Sequence, residues 1–203
     1  MRKIIALLFM WAAAHGCAEA ADSSVKFVTV DGTASQLRVD FNQAKGKVRL
    51  LFVVDPICPG CLRGLDDMNR DLLEHSRDPR LETFVVHVPV LKPPPTASDV
   101  PPAAELLKNP NVRHYWDPSG NFGRALSDGV DLRNGSKPVY AWDVWLIYGP
   151  DAVWQGTLPP KPLLLMHQLR ALEGSKQFPH LDSDIFSKEV QKVIATLPSV
   201  AMQ

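Results

Sequence analysis

The chain has 203 residues, 45% of them hydrophobic, and its 22 lysines and arginines are balanced by 22 acidic residues. That balance, with no basic tract, argues against a nucleic-acid partner. Three cysteines are too few for a disulfide scaffold in a chain this long, and the length suits one domain with a proper core.

The first segment is 1–20. Arg2 and Lys3 precede the apolar run Ile4 to Ala14, and Ala18-Glu19-Ala20 closes it. A charged start, a short apolar core and a small-x-small ending read as a secretory signal peptide, with the mature protein starting at Ala21 in a periplasm. The apolar run is too short to cross a bilayer, and no later segment is long and apolar enough. An alternative makes Cys17 the acylated residue of a lipoprotein, although Ala14-His15-Gly16 is a poor match to the expected leucine-led box. Removing 1–20 takes away Arg2, Lys3 and Glu19, shifts the formal charge to −1, and leaves Cys58 and Cys61 as the only cysteines.

Residues 21–203 read as a single domain in which element types alternate. Val25 to Val30 alternates like a half-exposed strand and turns at Asp31-Gly32. Lys47 to Val54 is β-branched and apolar, as a central buried strand should be, and Pro56 ends it. After Cys61, the residues Leu62, Leu65, Met68, Leu72 and Leu73 recur at helical spacing. Residues 81–91 form the next strand. Residues 89–102 hold six prolines and predict a stiff surface connection into a helix near Pro102 to Lys108, or a docking loop beside the active site. The stretch 144–154 predicts a hairpin turning at Gly149-Pro150-Asp151. Two helices follow, Pro162 to Leu172 and about 184–197 (Asp184 to Leu197). The order predicts an α/β architecture with a mixed sheet.

Cys58-Pro59-Gly60-Cys61 stands where the buried strand meets a helix. The first thiol then lies at the helix N-terminus, where unpaired N–H groups and the positive end of the dipole favour a thiolate. The second lies one turn inside, close enough to bond to it. Pro59 suits the first turn because its missing N–H has no partner to lose. An exposed attacker with a resolving thiol beside it is what thiol–disulfide exchange requires, and the chemistry calls for no cofactor. An ordinary stabilising disulfide is the plainer alternative, but so short a loop constrains the unfolded chain little.

The stretch from Gly46 to Cys61 resembles the thioredoxin superfamily, in particular exported thioredoxin-like proteins related to cytochrome-maturation reductases and peroxiredoxins. Residues 114–127 resemble a later strand and helix of that fold, and 144–154 the strand, turn and strand near its end. The likeness covers most of 25–175. It implies a thioredoxin-like sandwich, a central mixed β-sheet flanked by helices. It also implies a thiol–disulfide oxidoreductase with Cys58 attacking and Cys61 resolving. The partners implied are a protein or small-molecule thiol or disulfide and a membrane-bound redox partner.

Two departures stand out. Ile57 replaces the family's aromatic residue before the first cysteine. Trp142 or Asp143 falls where a cis-proline is expected before the late strand, and Pro138 comes too early. If Asp143 takes that place, its charge would raise the pKa of Cys58, and it could accept a proton from Cys61. The plainer alternative is a solvated residue at a strand end. Similar exported proteins bind copper through two cysteines and a histidine; here Cys58, Cys61 and His87 would be the ligands, for copper(I) or zinc. A third reading is a non-catalytic interaction module, favoured if Trp116, Trp142, Trp145 and Trp154 are exposed.

Overall fold

The computed structural model describes residues 25–199. The expected leader, its cleavage site and Cys17 lie outside them. Among the described residues no helix is long and apolar enough to cross a membrane.

Six strands form one mixed sheet: β1 (Phe27–Thr29), β2 (Val48–Val54), β3 (Leu81–His87), β4 (Val112–Trp116), β7 (Val144–Tyr148) and β8 (Leu164–His167), in the order β1-β4-β3-β2-β7-β8. The first four in that order run parallel, and β7 and β8 are antiparallel to their neighbours. β2 is interior and buried along its whole length, as its sequence predicts. The short pair β5 (Arg133–Asn134) and β6 (Lys137–Pro138) stands apart. Alternate β2 side chains point to opposite faces. Leu51 and Val53 pack with Leu37 and Phe41 of α1 (Ser35–Gln43) and Phe122 and Leu126 of α4 (Asn121–Val130). Leu50, Phe52 and Val54 pack with Leu65 and Met68 of α2 (Pro59–Met68) and with Phe186, Val190 and Ile194 of α5 (Ser183–Ala195). A sheet covered on both faces is the thioredoxin-like α/β sandwich that the resemblance implies.

The strand expected over 81–91 stops at His87. The Val90 and Leu91 N–H groups leave the ladder and donate to the buried Asp55 carboxylate, each at 2.8 Å. The proline-rich stretch then runs over the surface into the short α3 (Val100–Ala104), with a cis peptide bond at Lys92–Pro93.

Two expectations are corrected. The hairpin over 144–154 does not form, because β7 pairs with β8 instead of with 152–154. The buried Arg49 guanidinium draws the carbonyls of Gly149, Pro150 and Ala152 to itself. Asn42 holds both the N–H and the carbonyl of Trp154, whose ring packs on Phe41 and Phe122. The helix expected over Pro162 to Leu172 is instead β8 followed by a single 3₁₀ turn, Arg170–Leu172. Its short apolar run, Leu163 to Met166, fits either period, and the open edge of β7 decides it as a strand.

Candidate active site

The site is built where β2 ends. Asp55 closes the strand: its carboxylate accepts the Ile57 N–H at 3.0 Å as well as those of Val90 and Leu91. The active-site turn and the proline-rich segment are thereby tied to one buried group. Cys58 follows as the N-cap of α2, in extended conformation, with Pro59 in the first turn; the Leu62 N–H donates to the Cys58 carbonyl at 2.9 Å.

The two thiols are unequal. Cys58 keeps 8% of its surface open and Cys61 none, so Cys58 is reached through a narrow opening and is not a broadly exposed thiol. Cys58 is lowered from its usual 9.0 to about 6, chiefly because the Cys61 thiol donates to its sulfur; backbone N–H groups of Cys61 and Gly60 add to this, against burial. Cys61 is pushed far up, first by burial, then by its bond to Cys58 and by the charge of Asp143.

Asp143, immediately before β7, is the residue brought to the pair. One carboxylate oxygen and the two sulfurs lie within 4.8 Å of one another. Its carboxyl is buried and raised to about 6, first by desolvation and then by the charge of Cys58. Asp143 and the Cys58 thiolate repel each other, the direction expected from the sequence, but the hydrogen bond from Cys61 outweighs that repulsion and the Cys58 pKa falls; the charge of Asp143 also holds the Cys61 thiol protonated. Asp143 is not a solvated strand-end residue. Its backbone φ is 51°, left-handed, and proline is locked near −65°, so this backbone has no room for the family's proline.

His87 is not brought to the cysteines. It pairs with Val54 in register, is fully buried, and shares a 3.2 Å hydrogen bond from its Nε2 with Nδ1 of His114. Among the described residues, Cys58, Cys61 and Asp143 are the group close enough to share an ion. The tryptophans do not form an exposed surface either: Trp116, Trp145 and Trp154 are buried and Trp142 is half-buried.

Gln168, just after β8, is a site residue that the sequence reading missed. Its backbone N–H donates to the Asp143 carbonyl at 3.0 Å. With its amide nitrogen turned inward, the orientation that satisfies the network, it donates to Asp143 Oδ1 at 2.8 Å and to the Gly60 carbonyl at 3.1 Å. No motif marks such a residue, and β8 itself reads as a helix in sequence.

Beside the pair runs a groove of about 350 Å³ lined by Pro56, Leu62, Arg63 and Asp66 on one side and Pro102, Ala103 and Leu106 on the other. The C-terminal end of the proline-rich connection is thus one wall of a cleft next to the Cys58–Cys61 turn. A larger cleft, about 620 Å³ between the Gly149 turn and α5, includes no residue of the pair.

No protein-family model matches the chain, and no curated protein matches it. Among solved structures, the chain is similar to a secreted Mycobacterium tuberculosis disulfide oxidoreductase homologous to E. coli DsbE. The two share 11% identity over 74% of this chain and 84% of that one, with a TM-score of 0.41. It is also similar to the exposed lipoprotein thioredoxin of Streptococcus pneumoniae, with 18% identity over 74% of this chain and 87% of that one and a TM-score of 0.41.

Proposed function

We propose that the protein is an exported, periplasmic thiol–disulfide oxidoreductase whose reversible redox centre is Cys58-Pro59-Gly60-Cys61. The observation that carries this is the asymmetry of the pair: a thiol lowered to about 6 at a helix N-terminus, with a shielded thiol and a buried carboxylate behind it. The Cys58 thiolate attacks a substrate disulfide, forms a mixed disulfide and releases the first substrate thiolate. Cys61 gives its proton to Asp143, and its sulfur attacks Cys58 to release the second. Two electrons pass from the cysteine pair to the substrate, and the reverse sequence oxidises a dithiol. The substrate is a protein or small-molecule thiol or disulfide, and a membrane-bound redox partner restores the starting state. Because Asp143 stands where the family docks substrate backbone, activity on generic disulfides is low and the neighbouring groove selects the substrate.

The test is trapping. Cys61→Ser should accumulate mixed disulfides through Cys58, and Cys58→Ser should abolish both trapping and turnover. N-terminal sequencing of the exported form should begin at Ala21; a lipid-modified fragment beginning at Cys17 would replace this with an anchored form.

A second reading rests on the same three side chains. Two thiolates and a carboxylate suit zinc or, through the sulfurs, copper(I), with Asp143 in the place that the sequence reading gave to His87. Metal titration of the reduced protein alongside its reduction potential separates the two readings.

A further inference from the structure

We propose that Gln168 is a positioning residue of the redox site, holding the Asp143 carboxylate against the Cys58–Cys61 turn in the orientation that lets it take the Cys61 proton. This rests on the oxidoreductase reading above and deepens it.

The geometry is a clamp with two jaws. The Gln168 amide nitrogen donates to Asp143 Oδ1 and to the Gly60 carbonyl, joining the carboxylate to the middle of the redox turn. Its backbone N–H fixes the Asp143 carbonyl from the other side. With Oδ1 occupied, Oδ2 is the oxygen left for the sulfurs, and it does face the turn. A Cβ placed on Gly60 would lie 3.4 Å from Oδ2 and 3.7 Å from Cys58 Sγ. Room for the clamp comes from Gly64, where a Cβ would stand 3.1 Å from the Gln168 amide and 2.4 Å from the Trp145 ring.

A neutral amide donor favours the charged carboxylate and works against the burial that favours the acid. The charged and titratable groups acting on Asp143 are Cys58 at the N-cap of α2, Cys61 in its first turn and His180 beyond β8; Asp55, which follows β2, acts on the two thiols. Gln168 is neutral at every pH, so its bond does not switch off as the site titrates. Without it, Asp143 stays protonated to higher pH and its carboxyl is free to turn away from Cys61.

The experiment follows the two releases of 5-thio-2-nitrobenzoate when the reduced protein meets the corresponding aromatic disulfide. The first release reports attack by Cys58 and the second reports resolution by Cys61. Gln168→Met removes the donor at nearly constant volume, and Gln168→Glu replaces it with an acceptor facing Oδ1. In both variants the pH inflection of the second release should move up by about one unit, slowing it about fivefold at pH 6, while the first release stays within about twofold of wild type. In an Asp143→Asn background neither substitution should move the second-release profile. If the second-release profile overlays wild type, or both steps fall together in a folded protein, the proposal is wrong. If Gln168→Met does not fold, Gln168→Glu decides alone. Absence of any second release from wild type overturns the oxidoreductase reading itself, a result distinct from either.

Discussion

The Cys61 sulfur and an Asp143 carboxylate oxygen stand within 4.8 Å of each other, both buried, one from the first turn of α2 and the other from the residue before β7. Each is pushed toward its protonated form, Cys61 far up and Asp143 to about 6. Asp143→Asn should therefore slow closure of the Cys58–Cys61 bond from a mixed disulfide by about 100-fold, the lower range for general-base catalysis. Attack by Cys58 should remain within a few-fold of wild type. Rapid-quench mass analysis of the mixed disulfide separates the steps, and equal slowing of both would remove Asp143 from the proton path.

Cys58 should react as a thiolate at neutral pH. With its pKa at about 6, roughly nine-tenths of it is ionised at pH 7, against about 1% for a thiol at 9.0. Iodoacetamide should alkylate Cys58 with an inflection near pH 6 and a plateau above it. Cys61 should be modified only after unfolding. Peptide mapping after a timed pulse distinguishes the two, and equal labelling in the native state would contradict the asymmetry.

The Cys58–Cys61 turn is legible in the sequence because it is local. An apolar β-branched run, a proline and a spaced pair of cysteines specify strand, helix start and thiol order within sixteen residues of chain, Gly46 to Cys61. What lies across the fold is less legible. The resemblance puts Trp142 or Asp143 beside the pair, but the net shift of Cys58 is not legible, since the hydrogen bond from Cys61 outweighs the repulsion from Asp143. Leu163 to Met166 reads as helix until β7 offers an unpaired edge. His87 looks free to approach the cysteines because its partner, His114, sits on β4 and meets it only through parallel pairing. Gln168 leaves no signal at all.

The His87–His114 pair predicts an acid limit to stability. His87 Nδ1 and His114 Nε2 are buried without partners, and burial lowers both rings, His114 from its ordinary 6.5 to about 4. The unfolded chain takes up protons below 6.5 that folded His114 refuses until about 4, and buried His87 resists protonation as well. Stability is thus full above 6.5 and falls as the pH drops through that window, by about 3 kcal/mol for His114 alone. Urea midpoints between pH 7 and 4 should show this slope. Replacing both histidines with leucine should flatten it, and a flat wild-type profile would show that the pair does not set the limit.

Arg49 predicts a large loss from a single substitution. It is fully buried, lies 4.4 Å from the centre of the Phe41 ring, and donates to the carbonyls of Phe41, Gly149, Pro150 and Ala152. Arg49→Met would fill the space but leave four buried acceptors unpaired, at a cost of about 3 kcal/mol or more. Chemical denaturation should report that loss, with the 149–154 segment becoming the first to exchange its amide hydrogens. A loss under about 1 kcal/mol would mean that water replaces the guanidinium.

The most direct test of the central claim is a stepwise redox titration of the protein with alkylation and intact-mass readout. The account predicts one reversible two-electron transition in which Cys58 and Cys61 lose two hydrogens together and become inaccessible to alkylation, with the bond assigned to that pair by peptide mapping. A protein whose two thiols stay free from strong reductant to strong oxidant would contradict it.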